Sequence, residues 1–344
     1  MAKPYHYQVN DKSLLYPVLK RYLWGPAMRF VPPSWSANSM TLLGNLFSFI
    51  AFVFLAVVSV VGVPDEAFVI PAISLFIYLS LDNMDGQQAR RAASSSPLGE
   101  FLDHWGDGFN LGLVVVGYGL AMKLEPWLLL TVLGLCQLAY YATMWEQRMT
   151  GWLTFGALGG TEGVMLVCLF YMLVATLGMD AIVATPVLGP MTASHCFAAL
   201  AVAGFAATPI SILWRVRAPR RDYLYLVAVI ALVVFWYAFG EMTLNAAAFL
   251  LLLSGALLGG RQIISHILDV PFRASEWVLT GVLAYGFVAA TLGDLGSLGQ
   301  AVTAWLLVSY LAIRLFGDFY TTTSRLAEHL RRDELLGFYF LRPR

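Results

Sequence analysis

The sequence predicts an all-α, polytopic integral membrane protein with about ten transmembrane helices and an amino-terminal amphipathic interfacial helix, and three observations lead there. Of 344 residues, 59% are hydrophobic and only 12% charged, and the mean hydropathy is +0.71. That leaves too little polar surface to cover a soluble fold. The apolar residues fall into runs of about 20, the length a helix needs to cross the hydrocarbon layer. The basic residues then collect on one side of those runs, as the positive-inside rule requires.

In order along the chain, residues 14–30 mix Leu, Tyr, Val, Trp and Met with Lys20, Arg21 and Arg29, the composition of a helix lying along a membrane surface. Residues 1–30 carry several charges and no continuous apolar core, so no cleavable secretion signal is expected. Spans follow at 41–63, 67–89, 99–122, 126–145, 161–178, 193–214, 222–240, 243–260, 274–293 and 298–316. With ten spans and a cytoplasmic amino terminus, Lys123 is the one basic residue in a non-cytoplasmic loop. The other 20 of 21 Lys and Arg, including Arg215, Arg217, Arg220 and Arg221, lie on or near the cytoplasmic side. Residues 321–344 alternate charge with apolar side chains and read as a short cytoplasmic helix.

One stretch breaks the apolar pattern. Asp82, Asp85, Gly86, Ala89, Arg90, Gly99, Asp103 and Asp107 are spaced D-x2-D-G-x2-A-R-x8-G-x3-D-x3-D. Carboxylates inside apolar helices are costly unless something positive offsets them, and a pair of divalent cations would do so. Residues three or four apart share a helix face, so Asp82 with Asp85, and Asp103 with Asp107, form two pairs facing each other across a hairpin. All-oxygen ligands suit Mg2+, Mn2+ or Ca2+, and Mg2+ commonly shares its shell with substrate phosphates. Gly86 and Gly99 let a ligand approach the backbone, while Arg90, with Arg91 beside it, can fork around phosphate oxygens. Ser96 and Pro97 read as the cap and first position of the second helix.

The string from Asp82 to Asp107 matches at every defined position the signature of the CDP-alcohol phosphotransferase family, which this chain therefore resembles. Gln88-Ala89-Arg90-Arg91 and Ser94-Ser95-Ser96-Pro97-Leu98-Gly99-Glu100 look like its choline/ethanolamine phosphotransferase branch, as do Trp145-Glu146, Thr150-Gly151 and Glu162-Gly163. Asn38, Thr41 and Gly44 resemble the segment entering the first membrane helix. Gln87, Trp105, Gly106, Gly108 and Gln147 depart from that branch.

The resemblance implies transfer of a phospho-alcohol from CDP-choline or CDP-ethanolamine to diacylglycerol, with release of CMP. It implies metal ligation by Asp82, Asp85 and Asp103, with Asp107 either ligating or accepting a proton, and two divalent cations, Mg2+ first and Mn2+ second. The donor would bind at Gly86, Ala89, Arg90 and Gly99. Asn38 would touch the cytidine or a phosphate, or simply cap a helix. His104, directly after a ligand, is the better candidate base because an imidazole titrates near neutrality, with Glu162 to orient and charge-balance it and Asp107 as the competing base. Glu146 and Trp145 could face a cationic head group. Residues 1–40 then form a cytoplasmic or interfacial segment and 41–180 the catalytic helices. Residues 181–320 add helices for an acceptor cavity or a dimer surface, and 321–344 the tail. A homodimer follows from the resemblance alone, whereas the ten-span topology and its basic residues turn the active site to the cytoplasm.

Other classes fit less well. Net charge of +0 gives no basis for nucleic acid as a partner. Cys136, Cys168 and Cys196 sit in apolar spans without close-pair spacing and read as packing residues. A CDP-diacylglycerol donor with a small polar alcohol as acceptor is the alternative within the same chemistry. An ion-coupled transporter is the alternative outside it, but the carboxylates cluster beside Arg90 without paired broken helices or an inverted repeat.

Overall fold

The computed structural model describes residues 8–157, 159–218, 221–273, 276–292 and 296–328. Arg220 and the part of the predicted tail beyond residue 328 lie outside the described residues.

Helices dominate. A short strand β1 (Val9–Asp11) precedes α1 (Tyr16–Leu19), a π-helical turn (Lys20–Trp24) and α2 (Gly25–Ala27), so the amphipathic element is a helical run shorter than its predicted span. The long helices are α3 (Ala37–Val58), α4 (Val69–Arg91), α5 (Pro97–Ala121), α6 (Pro126–Thr150) and α7 (Gly160–Leu177), with strand β2 (Leu153–Phe155) before α7. After α8 (Met179–Val183) and strands β3 (Pro186–Leu188) and β4 (Met191–Thr192) come α9 (Ala193–Arg215), α10 (Arg221–Phe239), α11 (Leu244–Leu268), α12 (Trp277–Leu292) and α13 (Ser297–Glu328). Each of the ten predicted spans overlaps one long helix. Among the described residues eight helices are long and apolar enough to cross a membrane, and α5 and α12 are not among them. The chain is an integral, multi-pass membrane protein.

The helices group into two compact units. In the first, which holds residues up to Leu124 and Trp152–Ala201, α3 packs on α4 and α5, and α4 packs on α7. At Gly44 the two helices are in close contact, a Cβ there meeting the carbonyl oxygen of Tyr78 at an ordinary van der Waals distance of 3.4 Å. Small residues at such crossings let helices approach closely where lipid supplies no hydrophobic drive. β1 pairs in parallel with β2, Val9 opposite Leu153. Neither strand is long enough to show an alternating pattern, which is why the sequence reads as all-α.

The second unit contains α6, the later part of α9, α10–α12 and α13 as far as Thr322. α11 packs on α6 through Gly255 and Gly259, where a Cβ would overlap Gln137 and the Tyr140 ring. The unit's buried acids Glu146 and Glu276 are both ion-paired. Arg215 makes two bonds of 2.7 Å to Glu146. Arg148 reaches Asp222 at 2.7 Å, and Arg261 joins Glu276 and Asp318.

Candidate metal centre

The α4–α5 hairpin builds the site. α4 ends where Ser94 N–H bonds the carbonyl of Ala89 at 2.9 Å and Ala93 takes a left-handed φ of 50°. The chain then reverses into α5, whose first turn is capped by the Ser96 hydroxyl accepting from Gly99 N–H at 3.2 Å, with Pro97 at the start. This is the cap the sequence predicts. The reversal brings the acidic face of one helix against that of the other.

Asp82, Asp103 and Asp107 meet there, each offering an oxygen within 4.8 Å of the others. All three are half-buried. Asp85 is not part of that group: it is buried and accepts a hydrogen bond from the Thr41 hydroxyl on α3. Tyr78 donates to Asp107 Oδ1 at 3.0 Å. On α3, Asn45 accepts from Asn110 at 2.7 Å, and its side chain fills the space beside Gly106, where a Cβ would fall 2.7 Å from Nδ2. Three adjacent helices therefore hold the carboxylates in place.

The nucleotide-side candidates lie at the same end. Asn38 sits on the first turn of α3 with Ser36 as the cap, so Asn38 is not the capping residue. Its Oδ1 is instead 3.2 Å from where a Cβ on Gly99 would stand. Gly86 faces the Arg90 guanidinium, 3.5 Å from a notional Cβ. Arg90 itself is exposed and Ala89 half-buried.

His104 is buried, with Nε2 3.8 Å from Asp103 Oδ2 and Nδ1 3.9 Å from Glu100 Oε1. Glu162 does not orient it through a hydrogen bond. Its carboxylate accepts from Ser13 Oγ, from Leu15 N–H at 2.8 Å and from Gly159 N–H at 2.8 Å, closing the start of α7 and tying down the amino-terminal segment. Glu146 likewise has both oxygens engaged by Arg215 rather than turned to a head group.

Tyr78, Asn45 and Gln88 are contributors that sequence reasoning missed. Tyr78 lies one helical turn before Asp82, a spacing that could have found it. Fully buried Gln88 donates to the carbonyls of Pro32, Pro33 and Trp35 and fixes the approach to α3.

Residues 35–215, more than half of the chain, match the family model for CDP-alcohol phosphatidyltransferase. The chain belongs to the CDP-alcohol phosphatidyltransferase family. Among its relatives, cholinephosphotransferase 1 of Gallus gallus is 36% identical over 165 residues, covering 46% of this chain and 48% of that protein. Its counterpart in Rattus norvegicus is 33% identical over 182 residues, 51% of this chain and 44% of the relative. The Homo sapiens protein is 33% identical over 165 residues, 46% and 40%. The matches thus span about half the length of these relatives or less. All of the hairpin that carries the carboxylates lies inside the region that defines this family of CDP-alcohol phosphatidyltransferases.

Proposed function

We propose that this chain transfers phosphocholine or phosphoethanolamine from a CDP-alcohol to diacylglycerol, releasing CMP and forming a phospholipid. The observation that carries this reading is the convergence of Asp82, Asp103 and Asp107 from two helices of the family's signature. The similarity to proteins named cholinephosphotransferase 1 supports the choice of substrates.

The donor set fits a hard divalent cation, since it consists of carboxylate oxygens alone, one from each of three residues within 4.8 Å of one another. Two ions are proposed, Mg2+ or else Mn2+, with Asp85 as the fourth carboxylate. When bound they would neutralise the donor's diphosphate and the charge developing on the leaving phosphate. Asn38, Gly86, Ala89, Arg90 and Gly99 would receive the nucleotide, Arg90 by forking around phosphate oxygens and Gly99 by leaving room above Asn38. His104 takes the acceptor's proton, with Asp107 as the competing base. Glu162, its carboxylate bonded to Ser13, Leu15 and Gly159, is assigned charge balance and not a direct hydrogen bond to the imidazole.

In this reading residues 41–180 hold the catalytic helices and 181–320 an acceptor cavity or the surface of a homodimer. The carboxylates face the cytoplasm, where nucleotide donors are. Purified protein incubated with CDP-choline or CDP-ethanolamine, diacylglycerol and Mg2+ should release CMP. CMP appearing only with CDP-diacylglycerol and a small alcohol would reverse the roles of donor and acceptor, and no CMP under any pairing would end the proposal.

A further inference from the structure

The amino-terminal segment carries two different faces. Inward, Trp24 is fully buried and its indole N–H donates to Ser80 on α4 at 3.2 Å. Arg91 donates to the carbonyls of Met28 and Val31, both at 2.8 Å. The segment is therefore fastened along the end of α4. Outward, Val18 and Tyr22, one helical turn apart, are exposed to 50% and 69%, with Leu14 and Phe30 exposed at either end.

Charge surrounds that apolar stripe. Residues 8–35 contain Lys12, Lys20, Arg21 and Arg29 against the single acid Asp11, and all four cations are exposed. Lys20 lies 5.4 Å from the centre of the Tyr16 ring and Arg21 5.2 Å from that of Tyr22, so both cations stay beside aromatic surface. A recess of about 560 Å3 opens between this segment and α4, with Lys20, Arg21 and Gln87 on its walls and Asp11 also lining it. The segment also stands where membrane-crossing helices emerge, because α3 begins at Ala37 and α4 ends at Arg91.

From this juxtaposition of exposed apolar side chains, unbalanced positive charge and two helix ends, we infer that residues 8–35 dock against a bilayer leaflet rich in acidic lipid. The apolar stripe supplies insertion and the cations select the headgroups. Neutral lipid would satisfy the first but not the second. A second copy of this chain, carrying the same positive surface, would meet like charge.

The test uses the full-length protein reconstituted in vesicles, with a fluorophore on a cysteine at Tyr22→Cys in a background lacking Cys196. Quenching by chain-labelled phosphatidylglycerol is compared with quenching by chain-labelled phosphatidylcholine at equal mole fraction. The acidic lipid is expected to be enriched around the probe, by a factor of the order of five for each cation touching the leaflet. Replacing Lys12, Lys20, Arg21 and Arg29 by Gln should bring the two quenchers to equality, as should high salt, which screens exposed charge. Quenching equal for both lipids in the parent overturns the inference. Shielding of the probe from both lipids overturns it too, in favour of a protein contact.

Discussion

Tyr78 on α4 and Asp107 on α5 are joined by a 3.0 Å hydrogen bond from phenol to carboxylate. The bond ties Asp107 to α4, the helix that also carries Asp82, and so helps to hold it in the group it forms with Asp82 and Asp103. A hydrogen bond to a charged group contributes about 1.5–3 kcal/mol. Tyr78→Phe should therefore lower turnover by roughly ten- to a hundredfold through loss of that interaction, measured as CMP release at saturating substrate. Unchanged turnover would mean that the orientation of Asp107 is irrelevant.

Metal removal provides a second check. Chelation should abolish activity and Mg2+ restore it, because without the cation the clustered carboxylates have nothing with which to hold and neutralise the donor's diphosphate. Asp82→Asn and Asp103→Asn should eliminate turnover while the protein still elutes as a folded species. Thr41→Val, which removes only the hydroxyl on Asp85, should instead raise the Mg2+ concentration needed for half-maximal rate.

At Gly99 the prediction is steric. Any side chain there must share space with Asn38, whose Oδ1 is 3.2 Å from the first added carbon. Gly99→Leu should abolish CDP binding in calorimetry, whereas Arg90→Lys should weaken it by losing the bidentate fork. Tight CDP binding by Gly99→Leu would place the nucleotide elsewhere.

The choice of base is decided by pH. A general base must be unprotonated, so turnover supported by His104 should fall as pH drops and the imidazole becomes protonated. His104→Ala should flatten that acidic limb and reduce the rate by about 10²–10⁴ while CDP binding survives. If the limb persists in that variant, and the rate falls by less than about tenfold, Asp107 holds the role.

A stability prediction concerns the turn between the two acidic helices. Ala93 adopts a φ of 50°, a left-handed conformation that costs an ordinary residue roughly 1 kcal/mol and glycine almost nothing. Ala93→Gly should raise the thermal midpoint of the detergent-solubilised protein without altering turnover.

Much of this architecture was legible from local pattern. Apolar runs located the long helices, and Ser96-Pro97 located the start of α5, because hydropathy and capping act within a few residues. The parallel pairing of Val9–Asp11 with Leu153–Phe155 and the seating of Ser13 on Glu162 were not legible, since partners nearly 150 residues apart leave no local signature. Glu146 was misjudged for a related reason. A carboxylate at the end of an apolar helix invites a cationic ligand, and nothing near it in sequence announces that Arg215 already occupies both oxygens.

That last pair has a consequence for biogenesis. Glu146 is almost wholly enclosed, and the guanidinium that balances it is 69 residues further along the chain. While α9 is still unmade, the end of α6 would carry a naked anion into an apolar setting, at a cost of several kcal/mol. Until α9 arrives, Glu146 is expected to stay at the aqueous end of α6 or to be protonated, and its final enclosure to follow the arrival of Arg215. The order of synthesis thus becomes an order of assembly, in which a later helix licenses the final seating of an earlier one.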